Sequence, residues 1–296
     1  MLSVKKAVAK TRRRIMRVTN IKIRPFNVGC NFQIVLPNGK TVLIDPWFTG
    51  NEFPDGHTKE EIEGADYIIL THAHFDHDLD IGYFVQKFNS KVFCGVMCAL
   101  DEVKFHKIPY DNIFPVFPNS TFTLEDFRID FYQAKHNPSG GRTWSPEAIA
   151  PVAGHEACDT WGSIESLDFI LTTKNNFRIL CASGRVVWND LYDICREKAP
   201  DLVLRQAGVR EGTGDMRTGK QVDAKTLAKL MTSYGAQTII PFHHDVMIKR
   251  EGLDAVNRYM DEVAEEVSRL DPGAQFLNPV AWQWYSIGSD VIAMEE

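Results

Sequence analysis

No stretch of this 296-residue chain approaches the roughly 20 consecutive apolar residues of a membrane-spanning helix, so no transmembrane segment is expected. It also has no C-x-x-C pair. Its six cysteines (Cys30, Cys94, Cys98, Cys158, Cys181, Cys195) are scattered, and Cys94 and Cys98, four apart, lack a second pair at zinc-site spacing. In a chain of this size they need not be bridged, and they read as reduced, mostly buried small hydrophobes. Internal repeats, low-complexity segments and a strong interdomain linker are missing too. Residues 1–18 are therefore expected to form a basic tail or first helix, and residues 19–296 a single domain.

Those first 18 residues contain no acid. They hold seven basic residues (Lys5, Lys6, Lys10, Arg12, Arg13, Arg14, Arg17), which leaves 26 basic against 39 acidic residues in the remainder. An acidic body argues against a broad nucleic-acid surface but says nothing of one phosphate in a pocket. The basic start lacks the apolar run of a signal peptide, so the expected location is the cytoplasm. Apolar residues make up 44% and charged residues 24%, which places the chain among soluble globular proteins.

What is present is an alternation of short apolar runs with turns. IKIRPF (21–26) and NFQIVL (31–36) read as strands, and PNGK (37–40) turns the second into TVLID (41–45) as a hairpin. ADYIIL (65–70) has the near-continuous apolarity of a buried strand. Ile81, Phe84, Val85 and Phe88 fall at helical spacing, and KVFCGV (91–96) returns to strand. STFTLEDFRIDFYQAK (120–135) gives two more strands. A long loop follows from about Asn137 to Gly162, long enough to be functional. SLDFILTT and NFRILCA (166–182) read as a hairpin, DLVL (201–204) and QTIIPF (237–242) as strands. Leu253, Val256, Met260, Val263, Val267 and Leu270 form an amphipathic helix ended by DPG. The aromatic WQWYS (282–286) suits either an interface in a homo-oligomer or a buried final strand. The pattern is that of an α/β fold with two sheets covered by helices.

Directly after the apolar run YIIL lies THAHFDHDLD (71–80), with three histidines and three aspartates in ten residues. His72, His74 and His77 are not at i, i+4 spacing, so the cluster begins on an extended segment or tight loop at the C-terminal end of a strand, where open α/β sheets place their ligands. Neutral imidazoles and a carboxylate are good ligands for divalent metals. Grouped without a metal, they cost desolvation.

His72-x-His74-x-Asp76-His77 resembles the signature of the metallo-β-lactamase superfamily. GCNFQIVLPNGKTVLIDPW (29–47) is similar to the strand pair before that motif, ending in the family's Asp45-Pro46. The resemblance extends from about residue 20 to 250 and implies a four-layer αββα sandwich with metals at one edge between the sheets. It also implies that His72, His74 and His136 hold a first ion. Asp76, His77 and His243 would hold a second, with His244 as a substitute for His243 and His155 and Asp159 in reserve. The implied cofactor is one or two divalent ions: zinc, manganese or, less readily, iron. His57 and His106 read as ordinary surface or loop residues.

One departure stands out. Where the family has a Gly-Asp pair whose aspartate bridges two metals, this chain reads Cys181-Ala182-Ser183-Gly184-Arg185. Arginine cannot ligate a metal, but it suits a substrate phosphate or carboxylate. The site is thus expected to be mononuclear, to borrow another carboxylate, or to use Arg185 on the substrate. The catalytic set read from the sequence is Asp76, His77, Asp45 and Arg185, with Asp45 fixing a histidine through its other ring nitrogen. The branch it most resembles is that of L-ascorbate-6-phosphate lactonase and related metal-dependent hydrolases. The expected function is therefore hydrolysis of a lactone or ester on a small phosphorylated or anionic molecule, with Arg142, Arg185, Arg205 and Arg210 as candidates to hold the anion. The alternatives are a phosphodiesterase acting on RNA or phospholipid, and a non-catalytic binding protein with a degenerate metal site.

Overall fold

The computed structural model describes residues 20–26, 29, 31–50, 56–134, 165–184, 189–209, 220–288 and 291–294. The first apolar runs form β1 (Ile21–Pro25), β2 (Phe32–Val35) and β3 (Thr41–Ile44), paired antiparallel with Phe32 opposite Ile44 and Val35 opposite Thr41. Gly39, at φ 85°, sits in the β2–β3 turn, in the left-handed region that glycine enters without penalty. β4 (Tyr67–Ile69) pairs parallel with β3. The histidine-rich segment 71–80 then supplies α1 (Phe75–Asp78), followed by α2 (Ile81–Phe88), β5 (Lys91–Gly95), α3 (Val96–Phe105) and β6 (Ile113–Val116).

The second half contributes β7 (Thr121–Thr123), β8 (Phe127–Gln133), β9 (Leu167–Thr173), β10 (Arg178–Ala182), α4 (Asn189–Lys198) and β11 (Leu202–Gln206). Then come α5 (Ala224–Thr232), β12 (Thr238–Phe242), α6 (Asp245–Glu251), α7 (Leu253–Leu270) and β13 (Gln275–Phe276). β14 (Tyr285–Ile287) and β15 (Val291–Ala293) return to β1. The two sheets run β15-β14-β1-β2-β3-β4-β5-β6 and β13-β12-β11-β10-β9-β8-β7.

Strand alternation explains the layers, because successive side chains leave a strand on opposite faces. Ile23, Ile34, Ile44 and Ile69 from the first sheet meet Ile129, Phe131, Phe169, Ile179 and Phe242 from the second in one inter-sheet core. Their neighbours Leu43, Ile68 and Val92 face outward onto Ile81, Phe84 and Cys98 of α2 and α3. Ile170, Leu180 and Ile239 face the other way, onto Leu227, Met231, Val256, Met260 and Val263 of α5 and α7. Both faces of each sheet are thus covered, and the fold is the four-layer α/β sandwich expected. Cys94, Cys98, Cys181 and Cys195 are buried free thiols. Trp282 and Tyr285 are buried, and Tyr285 opens β14, the strand before the last. Among the described residues no helix is long and apolar enough to cross a membrane.

Candidate functional site

β3 and β4 lie parallel and end side by side, so the chain leaves them through neighbouring residues, Asp45 and Thr71. Asp45 is 1% exposed, and its carboxylate accepts from Thr71 N at 2.7 Å and from Thr71 Oγ1 at 2.7 Å. Its Oδ2 lies 2.8 Å from His77 Nδ1. Burial pushes the Asp45 carboxyl well above its ordinary range, and the Thr71 bonds pull it back. A carboxylate here accepts the Nδ1–H of His77 and leaves the ring's lone pair on Nε2. Asn31 donates to the Asp45 carbonyl from behind.

His243 follows β12 in the other sheet and receives the same treatment. Its Nδ1 is 2.8 Å from Asp245 Oδ1, and its backbone N–H donates to Gly29 O at 3.0 Å. The two rings converge on one carboxylate: Asp76 Oδ1 is 3.8 Å from His77 Nε2 and Asp76 Oδ2 is 3.6 Å from His243 Nε2. Asp76, His77 and His243 form a group whose donor atoms all lie within 4.8 Å of one another. His72 and His74 adjoin it. His72 Nε2 is 2.9 Å from His74 Nδ1, and the His72 ring centroid is 3.9 Å from that of His77. His244 is buried, and burial pushes its pKa down to about 4, but it is not in the group.

The motif is held from both sides. Asp80 accepts from Phe48 N, Thr49 N and Thr49 Oγ1 at 2.6–2.7 Å and from Lys59 Nζ at 2.6 Å, which pins the 45–49 segment to the end of the motif. Leu167 N donates to Thr71 O at 3.0 Å and ties the second sheet to the first at this edge. Strands β8, β10 and β12 all point to it, since β8 and β10 each pair antiparallel with β9 and β10–β12 are mutually parallel.

His136 and Arg185, which follow β8 and β10, lie outside the described residues, as do Arg142, His155, Asp159, Arg210, the 137–162 loop and residues 1–18. Arg205 is 0% exposed and donates through Nη1 to Ala182 O (3.2 Å) and Gly184 O (2.6 Å), so its guanidinium braces the segment leading to Arg185. Asp168 braces the same segment, accepting from Ser183 N at 2.7 Å and Gly184 N at 3.1 Å. His57, by contrast, is an outer residue paired with Glu61 at 3.0 Å and stacked on Trp282. The sequence reading missed Thr71, Asp80 and Asp245, whose only signal was their closeness in sequence to the histidines.

The residues fit a divalent cation. Two imidazoles, each fixed at Nδ1 by a carboxylate, face one shared carboxylate, the arrangement by which proteins orient histidine ligands. A cavity of about 870 Å³ lies elsewhere: it is lined by Asn38, Gly39, Lys40, Glu61 and Asp66, at the opposite end of β3.

Residues 27–143 match the family model of the metallo-beta-lactamase superfamily. A UPF0173 metal-dependent hydrolase from Koribacter versatilis is 39% identical over 247 residues, covering 82% of this chain and 92% of its own. The chain belongs to the metallo-beta-lactamase superfamily, among its UPF0173 metal-dependent hydrolases. A second such hydrolase, from Polynucleobacter asymbioticus, is 26% identical over 60% of this chain, and the match spans 61% of that relative's length. The superfamily fold is borne out by a metallo hydrolase from the hyperthermophilic archaeon Ignicoccus hospitalis. It superposes with a TM-score of 0.63 at 16% identity, over 93% of this chain and 99% of its own.

Proposed function

We propose that this hydrolase cleaves a lactone or ester on a small anionic molecule, at a centre built from Asp76, His77 and His243 with His72 and His74 beside them. The observation that carries the reading is the convergence of two carboxylate-oriented imidazoles on Asp76. His72, His74, Asp76, His77 and His243, with His136, are the residues to hold zinc or manganese. When bound, such an ion acidifies water and polarises a carbonyl oxygen.

The chain's own residues do the rest. Asp76 orients the attacking water. Asp45 and Asp245 keep the imidazoles turned so that their Nε2 atoms face the centre. Arg185 follows the Ser183–Gly184 segment that Arg205 and Asp168 hold, and its planar donors suit the substrate's phosphate or carboxylate.

The test is a panel of lactones, carboxylic esters and phosphodiesters, half carrying a phosphate or carboxylate remote from the scissile bond. Expected is turnover of anionic lactones or esters that depends on added zinc or manganese, falls at least ~100-fold in Asp76→Asn, and loses its preference for the anion in Arg185→Gln. Turnover confined to phosphodiesters would overturn the reading.

A further inference from the structure

The motif segment also reaches a second cluster. In α1, Asp76 and His77 turn to the centre described above, while Asp78 turns the other way, into the layer of α2 and α3. There it meets Glu102 and His106, and the donor atoms of the three lie within 4.8 Å of one another. His106 Nε2 is 3.8 Å from Asp78 Oδ2 and 3.9 Å from Glu102 Oε2. Both carboxylate side chains are 0% exposed and the imidazole is 13% exposed. None of the four carboxylate oxygens, nor His106 Nε2, has a hydrogen-bond partner among the described residues.

Two buried carboxylates side by side with no donor are expensive, since burial penalises an unpaired charge and like charges repel. Proteins keep such a group when a proton or a cation neutralises it. The separations suit one: donors bound at about 2.1 Å sit roughly 3.4 Å apart around a tetrahedral ion and up to about 4.2 Å apart across an octahedral one. Two oxygens and one imidazole nitrogen match zinc or manganese better than calcium or magnesium, which take all-oxygen sets.

The surroundings hold the group together. Glu102 and His106 are one turn apart at the C-terminal end of α3, and the His106 N–H donates to Glu102 O at 3.0 Å. Gly82 of α2 lets His106 approach: a Cβ there would lie 3.2 Å from His106 O and 3.5 Å from its Cβ.

We infer that Asp78, Glu102 and His106 form a second divalent-cation site, separate from the Asp76–His77–His243 centre, in which a zinc or manganese ion ties α1 to α3. The ion is structural. It braces from below the four-residue helix that presents Asp76 and His77 above.

The test strips the full chain of metal with a chelator, reloads it with manganese or zinc at micromolar concentration, and removes the excess. Anomalous diffraction at the metal's absorption edge then locates each ion. Expected in the wild type is a peak among Asp78, Glu102 and His106, and its loss in Glu102→Gln together with one equivalent of metal per chain by elemental analysis. A peak near Asp76, His77 and His243 is judged separately, so the failure of either site leaves the other readable. No peak at the second cluster, or one appearing only at millimolar metal, would overturn the inference. Thermal melting gives an independent readout. Without metal, Glu102→Gln removes a buried charge and should melt at or above the wild type. With metal the order should reverse by several degrees. The same order in both conditions would also sink the proposal.

Discussion

His243 has φ 58° and Asp45 has φ 47°, so a residue at the centre and one supporting it occupy the left-handed region, which costs a side-chain-bearing residue roughly 1–3 kcal/mol. Such strain persists where surrounding bonds over-determine the conformation, and both residues have them: Gly29 and Asp245 hold His243, Thr71 and Asn31 hold Asp45. Asp45→Asn tests the support without disturbing the backbone, because asparagine tolerates this region. Its amide would present a donor to His77 Nδ1–H and turn the ring's lone pair away from the centre. Metal affinity, read by competition with a chelator, should fall about 10–100-fold with the fold intact. Asp168 gives a prediction in pH. Burial outweighs the Gly184 and Ser183 hydrogen bonds and the Arg205 charge, and pushes its pKa from 3.8 up to about 6. The folded state therefore keeps a proton that the unfolded chain has lost, and this contribution, complete below pH 3.8, is gone above about pH 6. Denaturant titrations at pH 4 and 7 should show Asp168→Asn gaining on the wild type as pH rises, by something of the order of 3 kcal/mol. Equal differences at the two pH values would show that Asp168 titrates normally.

Elements were legible where burial has a period. Each strand expected from an apolar run is present, because both faces of these sheets are covered and the strands read as nearly continuous hydrophobes. The helix expected from the 3-4-3-4-3 spacing spans Leu253–Leu270, but only its inner stripe (Val256, Met260, Val263, Val267) is buried, while Leu253 and Leu270 are 55% and 40% exposed. Met260→Ala should cost about 2–5 kcal/mol in chemical denaturation and Leu253→Ala within about 0.5 kcal/mol. α3 was not legible, and its residues say why: it buries Asp101 and Glu102 along with Cys98 and Ala99, so no clean apolar stripe marks it. The same burial hid His106, which the sequence presented as an ordinary loop residue and the structure places against Asp78 and Glu102. Spacing along the chain showed the HxHxDH cluster, whose members are local. It could not show Asp245 reaching back to His243 or Arg205 bracing the segment before Arg185, since those are properties of how strands end together.

At the scale of the molecule, the centre joins the two sheets. Asp45, Thr71, Asp76 and His77 come from the first and His243 from the second, and beyond the inter-sheet core they are linked at this edge by backbone bonds such as Leu167 N to Thr71 O. An ion bound there holds both sheets and has no equivalent in the unfolded chain, so it stabilises by mass action: about 4 kcal/mol at a free concentration 1,000 times the Kd. For a chain of this length that corresponds to a rise of about 8 °C in Tm. Because the sheets share one core, the metal-free protein should melt in a single transition whose van't Hoff and calorimetric enthalpies agree. Scanning calorimetry of the stripped and reloaded protein checks both. Two separated transitions would divide residues 19–296 into independent units. A Tm unmoved by zinc or manganese would mean that the residues meeting at the sheet edge do not bind the ion their geometry fits.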